Sequence, residues 1–444
     1  MKTKVATQRP IYLDNAASTP MDERVIEAMV ACLSQEGTFG NSASKDHVYG
    51  WEAAEVIENA RDQIAQAIGC SPLEIIFTSG ATESNNLALK GLSYAQYKIN
   101  NPRRTIITSS IEHKAVLEST EQLAHHGFNI IYLKPRTDGT ISAAMLKEAL
   151  TDDTFLVSIS QANSVLGSMN DIDELAQITQ DHGALFHSDC AQSNGLYDLH
   201  LDKSPVAMVT LTPEKIYGPK GVGALYLKKD LNIELEPLLV GGGHEKGLRG
   251  GTLATHQIAA MGKAFEIMAQ EREQVIAHVS ALKERLIGLL KTIDNAQING
   301  YNEDGSTPHL PGVVSVSFKN IEGQYLIPSL RKVACSTGSA CSSKELKPSY
   351  VLSEIGLDDD LARASLRLSI GRYNTQEDID LAFEQIKQTL AMLTKKLFLL
   401  PYNTKKPKLQ QQLGVLFELE LGNYTSLQIA NGNLVLKGSW NLCF

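Results

Sequence analysis

The chain has 444 residues, a formal net charge of −9 and a pI near 5.7, with 43% hydrophobic and 20% charged content, the balance of a globular protein rather than a broad nucleic-acid binder. No run of about 18 apolar residues predicts a membrane span, and no apolar signal core follows Met1. The cysteines (Cys32, Cys70, Cys190, Cys335, Cys341 and Cys443) show neither CxxC nor paired Cys/His spacing, which argues against a metal site or disulfide framework and for a reducing, cytoplasmic setting.

Ile11-Tyr12-Leu13 reads as a short strand and Asp14-Asn15-Ala16-Ala17-Ser18-Thr19-Pro20 as a turn, with helical spacing from Val25 to Cys32. A polar loop, Gly37-Thr38-Phe39-Gly40-Asn41, precedes a helix expected over 50–68, where Ala53, Val56, Ile57, Ala60, Ile64 and Ile68 recur at spacings of three and four. Glu74 to Thr78 is a strand, and Ser79-Gly80-Ala81-Thr82-Glu83 opens the next helix. Such a turn offers free backbone N–H groups, a hydroxyl and the positive end of a helix dipole, which seat phosphate; plain N-capping by Ser79 or Thr82 is the alternative.

Strands are then expected at 105–109, 129–133, 155–160, 184–188 and 207–211, with helices at 143–150 and 172–181. This alternation implies a mostly parallel sheet covered on both faces. Ligands of such sheets lie beyond the carboxyl ends of the strands. The polar residues there are Glu112, His113, Gln161 to Asn163, Asp189, Gln192 and Thr212 to Lys215. Singly, His113 and Asp189 could cap helices and Asn163 could make a turn. Jointly they set an acid, a flat ring, amides, hydroxyls and a lysine on one edge.

The centre is Thr210-Leu211-Thr212-Pro213-Glu214-Lys215-Ile216-Tyr217-Gly218-Pro219-Lys220-Gly221, followed by another strand, Val222 to Leu227. A lysine where a strand ends can project into a cleft, and in a desolvated cleft its amine can form a Schiff base with a carbonyl. In that company Lys215 reads as a lysine for pyridoxal 5'-phosphate (PLP).

Downstream lie a second Gly-rich loop (Gly241-Gly242-Gly243-His244-Glu245 to Thr252), a long amphipathic helix over 255–293, strands at 313–318 and 364–370, and helices near 324–330 and 375–393. The expected division is a large domain at 15–259, a smaller α+β domain at 1–14 and 260–396, and a tail at 397–444. In the tail Leu413 to Leu421 and Leu427 to Leu436 alternate around the turn residues Gly422-Asn423 and Asn431-Gly432-Asn433 and suggest one or two hairpins. The run Cys335-Ser336-Thr337-Gly338-Ser339-Ala340-Cys341 puts Cys341 on a small, polar loop, unlike a structural thiol, whereas Cys335 ends an apolar run and reads as buried.

These motifs resemble the cysteine desulfurases, PLP enzymes of fold type I in the class V aminotransferase group, and look closest to the iron–sulfur-assembly type. The resemblance runs from about Ile11 to Leu393 and rests on Tyr12-Leu13-Asp14-Asn15-Ala16-Ala17, Thr38-Phe39-Gly40-Asn41, Ser79-Gly80-Ala81-Thr82-Glu83-Ser84, Glu112-His113-Lys114-Ala115-Val116, His187-Ser188-Asp189, Lys215 to Gly221 and Gly338-Ser339-Ala340-Cys341. It implies that Lys215 carries PLP, Asp189 pairs with the pyridine nitrogen, His113 stacks on the ring, and Gln192 contacts the ring oxygen. It further implies that Ala81, Thr82 and Thr212 hold the phosphate and that Thr252 reaches the phosphate of a partner subunit in a homodimer. Asn163, Arg367 and Asn41 would bind the substrate L-cysteine, and Cys341 would take its sulfur as a persulfide, releasing alanine and passing the sulfur to an acceptor protein for iron–sulfur or thio-cofactor synthesis. A thiol of ordinary pKa, about 8.5, needs a neighbouring base or positive charge for this.

Two positions depart from the family pattern. Glu214 stands where relatives carry histidine on the phosphate side, so it must be turned away, protonated or paired. Asn163-Ser164-Val165-Leu166-Gly167 stands where relatives read Asn-Asn-Glu-Ile-Gly, so an acid is lost. The tail beyond Leu393 does not match the family ending. Two other readings stay open: another PLP enzyme on this scaffold, such as an aminotransferase or selenocysteine lyase, and a paralogue that serves only as a partner in sulfur trafficking.

Overall fold

The short β-branched runs of the first half form one seven-stranded sheet. The computed structural model describes residues 9–231, 233–302, 304–337, 348–399, 426–430 and 433–437. Strands β1 (Ile11–Tyr12), β2 (Ile75–Thr78), β3 (Thr105–Ser109), β4 (Asn129–Leu133), β5 (Thr154–Ser158), β6 (Leu185–Asp189), β7 (Met208–Leu211) and β8 (Gly223–Leu227) follow in the chain, and all but β1 enter this sheet in the order β2-β8-β7-β6-β5-β3-β4. The four pairings from β4 through β3, β5 and β6 to β7 are parallel, and β8 is antiparallel to both β7 and β2. Only β8 therefore runs against the rest, and β2, β3, β5, β6 and β7 all deliver their carboxyl ends to one edge. Every residue of β2, β3, β5 and β7 is buried, as expected of strands covered on both faces.

Helices α1 (Glu23–Val30), α2 (Val48–Ile68), α3 (Ala81–Asn86), α4 (Leu92–Lys98), α5 (Lys114–His125), α6 (Ala143–Ala149), α7 (Ile172–Asp181) and α8 (Thr255–Leu290) accompany the sheet. A single π-turn, Leu87–Gly91, joins α3 to α4. Helix α8 packs along α2 and α1. The approach to α2 is close because Gly262 has no side chain: a Cβ there would lie 2.6 Å from Ala60 Cα. The expected boundary between residues 259 and 260 falls inside this continuous helix.

A second sheet joins β9 (Ala296–Ile298), β10 (Val313–Phe318) and β12 (Ser365–Ser369) antiparallel, with β10 in the middle, while β1 pairs in parallel with β11 (Val333–Ala334). Helices α9 (Gly323–Ser329), α10 (Tyr350–Glu354), α11 (Asp359–Arg363) and α12 (Gln376–Leu399) complete this half. The expected strand at 155–160 closes two residues early because Ser160 N leaves the ladder and donates to the Glu112 carboxylate. Residues 1–394 form one compact unit and 395–444 another. In the second, β13 (Ser426–Ala430) and β14 (Asn433–Lys437) make the expected hairpin; the strand expected at 413–421 lies outside the described residues. No described helix is long and apolar enough to cross a membrane.

Candidate active site

The Asp14–Thr19 turn bridges the edge at which the parallel strands end and the three-stranded sheet. Asn15 Nδ2 donates to Ser369 O at 2.8 Å and Ala16 N to Ser369 Oγ at 2.9 Å. From the other side, Gln192 Nε2 donates to Ala16 O at 3.0 Å and Lys215 Nζ to Ala17 O at 2.5 Å. Lys215 closes a 3-10 turn, Pro213–Lys215, that follows β7, and its side chain is 14% exposed. Glu214, the departure beside it, is paired: its Oε1 lies 2.7 Å from Lys215 Nζ.

Asp189 ends β6. Its Oδ1 accepts from Ala191 N at 2.9 Å and its Oδ2 from Asn85 Nδ2 at 2.7 Å, which orients a buried carboxylate at the sheet edge. Two residues earlier His187 is fully buried between Ser158 Oγ (2.9 Å) and Thr210 Oγ1 (3.1 Å), and burial pushes its pKa down to about 4. It is a neutral cross-strand clamp. His113 caps α5, its Nδ1 accepting from Ala115 N at 3.2 Å, and its ring is exposed. With Nδ1 an acceptor, the proton of the neutral ring sits on Nε2. Glu112 beneath it is buried, and burial pushes its carboxyl up to about 8.

The expected phosphate seat, Gly80-Ala81-Thr82, lies at the start of α3. Gly80 precedes α3 with no side-chain cap, so the first N–H groups of the helix lack an intrahelical partner. The φ of Gly80 is +150°, and a Cβ there would meet no atom within 4 Å. Thr82 is exposed and Thr212 is buried, its N–H donating to Asn194 Oδ1 at 2.8 Å. Glu83 turns back to accept from Ser79 N at 2.7 Å and pairs with Arg249 Nε at 3.0 Å. That pair ties the second Gly-rich loop to the seat. Glu245 ties it again, accepting from Arg61 Nη2 (2.8 Å), Arg61 Nη1 (3.0 Å) and Phe77 N of the edge strand β2 (2.7 Å).

Arg367, on β12, is buried: Nη2 donates to Asp14 Oδ1 at 2.8 Å and Nη1 to Ser164 O at 3.1 Å, while Nε has no hydrogen-bond partner among the described residues. Asn163, next to Ser164, accepts from Val165 N and Leu166 N and donates to Ile111 O. It makes the turn, as its plain alternative had it, and the next residue's carbonyl accepts from the guanidinium. Val165, where the acid is lost, packs in an apolar cluster with Ile111, Val351, Leu352 and Ile355, which would leave a carboxylate there without a counter-charge. Cys335 is partly buried against the core, and burial pushes its thiol up to about 12. Cys341 lies outside the described residues.

Lys215, Gln192, Asp189, Asn163 and Arg367 are thus brought to one edge, whereas the exposed Asn41 and Thr252 share no hydrogen bond with them among the described residues. A set consisting of one amine, one oriented carboxylate, an uncapped helix start with open space above its glycine, and an arginine with a spare buried N–H fits PLP with an amino-acid substrate. Residue-by-residue reading missed Asn85, Asp14 and Arg249. Asn85 lies four residues after Ala81, on the same helix face as the seat, and that spacing was the available signal.

Residues 11–382 match the family model for class-V aminotransferases. The chain is 45% identical to the cysteine desulfurase IscS of Pseudomonas aeruginosa (strain LESB58) over 384 residues, which cover 86% of this chain and 93% of that one. A solved NifS-like protein superposes with a TM-score of 0.78 at 34% identity, covering 86% of this chain and all of that one. A structure of SspA in complex with cysteine gives a TM-score of 0.70 at 36% identity, covering 82% and 99%.

Proposed function

This chain belongs to the cysteine desulfurases of the class-V aminotransferase family, and we propose from that premise that it converts L-cysteine to L-alanine with PLP and passes the sulfur on through Cys341. The observation that carries the assignment is the Arg367 guanidinium, buried, braced by Asp14 and the Ser164 carbonyl and with its Nε–H unpartnered among the described residues. It is a receptor for the carboxylate of a small amino acid, the ligand seen in the SspA relative.

PLP, when bound, supplies an electron sink for charge developing at the substrate Cα. Lys215 would hold it through its amine, Asp189 would keep the ring nitrogen protonated, and the start of α3 with Thr82 and Thr212 would hold its phosphate. Gln192 and His113 would contact the ring, His113 from its exposed side with Nε2–H free. Asn163, Arg367 and Asn41 would orient L-cysteine. Cys341 then bonds to the substrate sulfur, the carbon–sulfur bond breaks, and the carbon takes a proton and leaves as L-alanine. Cys341 keeps the sulfur as a persulfide for an acceptor protein of iron–sulfur or thio-cofactor synthesis. The exposed Val240 leads into the loop bearing exposed Thr252, which supports a homodimer in which that hydroxyl reaches the partner's phosphate. The scattered cysteines, without CxxC or paired Cys/His spacing, support a reducing, cytoplasmic site of action.

The test is to assay alanine and sulfide from L-cysteine with PLP-loaded protein. Both products are expected from the native chain, neither from Lys215→Ala, and no persulfide or sulfide from Cys341→Ser. A yellow protein that makes no alanine from cysteine would assign the site to a different amino acid.

A further inference from the structure

Successive residues of an extended chain point to opposite sides, so Glu214 and Lys215 would ordinarily diverge. The 3-10 turn Pro213–Lys215 brings them together, with Oε1 and Nζ 2.7 Å apart. The backbone under this carboxylate is held firmly: Glu214 O accepts from both Thr19 N (3.1 Å) and Thr19 Oγ1 (2.9 Å), and Pro213 precedes it. Lys215's other acceptor, Ala17 O, is a neutral carbonyl. Among the described residues Glu214 is therefore the one carboxylate paired with this ammonium, and with side-chain exposures of 14% and 29% the pair is only partly open to screening by water.

An ammonium has no lone pair for a carbonyl. To join an aldehyde, Nζ must leave its acceptors and shed a proton to solvent; the nitrogen then bonds to the aldehyde carbon and the aldehyde oxygen leaves as water. We propose that Glu214 is a positioning residue that holds Lys215 against premature capture, so that loading this chain is a competition between the Glu214 carboxylate and the incoming aldehyde for one nitrogen. The proposal rests on Lys215 being the PLP lysine and adds a gate to that site: a carboxylate that slows loading and disfavours aldehydes too weakly bound to displace it.

The test uses full-length protein stripped of cofactor, with PLP and the phosphate-free aldehyde pyridoxal as probes. Capture is followed by absorbance, then fixed with borohydride and counted at residue 215 by mass spectrometry. Glu214→Gln is expected to capture both aldehydes faster, by up to about fivefold, the effect of an exposed-to-half-buried ion pair. Glu214→Asp, which keeps the charge but draws it back one methylene, should fall between. The Glu214→Asp comparison stands even if the glutamine variant folds poorly. Equal rates for the native chain and a well-folded Glu214→Gln, or a gain with PLP alone, would overturn the gate while leaving the PLP site intact; a gain confined to PLP would mean that Glu214 acts on the phosphate only. Absence of any label at residue 215 in the native chain would overturn the PLP site and the gate together.

Discussion

Replacing Glu112 by glutamine should stabilise the protein in alkaline solution and not in acid. Glu112 is 1% exposed, its Oε1 accepts from Ser160 N (2.9 Å) and Ser160 Oγ (3.2 Å), and its Oε2 has no partner among the described residues. Burial outweighs the Ser160 hydrogen bonds, the Asp189 charge adds to it, and the carboxyl is pushed up from 4.5 to about 8. Below pH 4.5 both folded and unfolded chains carry the proton. Between 4.5 and 8 the unfolded chain loses it and the folded chain keeps it, so stability falls as pH rises through that window and levels off above it. Each pH unit costs about 1.4 kcal/mol, which accumulates to on the order of 4 kcal/mol by pH 8. Glutamine keeps an oxygen for Ser160 and cannot ionise. His187, pushed down to about 4, acts in the opposite sense: its contribution is lost as pH falls from 6.5 to 4. It is present in both proteins and cancels in the difference. Urea unfolding of both proteins at pH 5, 6.5 and 8 should give a difference below about 1 kcal/mol at the first pH, rising to several in favour of the variant at the last. A difference that stayed flat across the three would refute burial as the source of the shift.

Glu245→Ala removes an acceptor of three donors and leaves the buried Arg61 with the Ile75 carbonyl and one carboxylate, Glu58, whose side chain is 63% exposed. A loss of about 3 kcal/mol is expected, at the low end for a broken buried pair because Glu58 remains, and hydrogen exchange at Phe77 N should rise with it. Arg367→Lys replaces a planar fork, pinned at Asp14 and Ser164, by a single ammonium. The KM for L-cysteine should rise about tenfold or more with a smaller change in kcat, and a KM within twofold of the native value would remove Arg367 from substrate binding.

Much of this molecule is written locally. Runs such as Thr105–Ser109 and Asn129–Leu133 are short, β-branched and bounded by polar turns, so their strands stand where the pattern puts them, and alternation with helices settles that the sheet is mostly parallel. A parallel sheet then places the residues after its strands on one edge, which is why Asp189, Asn163, Gln192 and Lys215 could be singled out from order alone. Strands of two or three residues, such as Val333–Ala334 and Ala296–Ile298, carry no periodicity and exist only because a partner strand lies alongside. Partnerships across the chain were equally invisible: Asn85 reaches Asp189 over 104 residues, and Arg367 reaches Asp14 over 353. The fate of the two departures was also decided by packing. A valine at 165 is satisfied because α10, far along the chain, supplies apolar neighbours, and a glutamate at 214 is satisfied because a single tight turn swings Lys215 onto its side. Residue types and spacing determine which chemistry is present; the register of distant strands and the hand of one turn determine which charges meet, since Coulomb and hydrogen-bond energies depend on separations that no local pattern specifies.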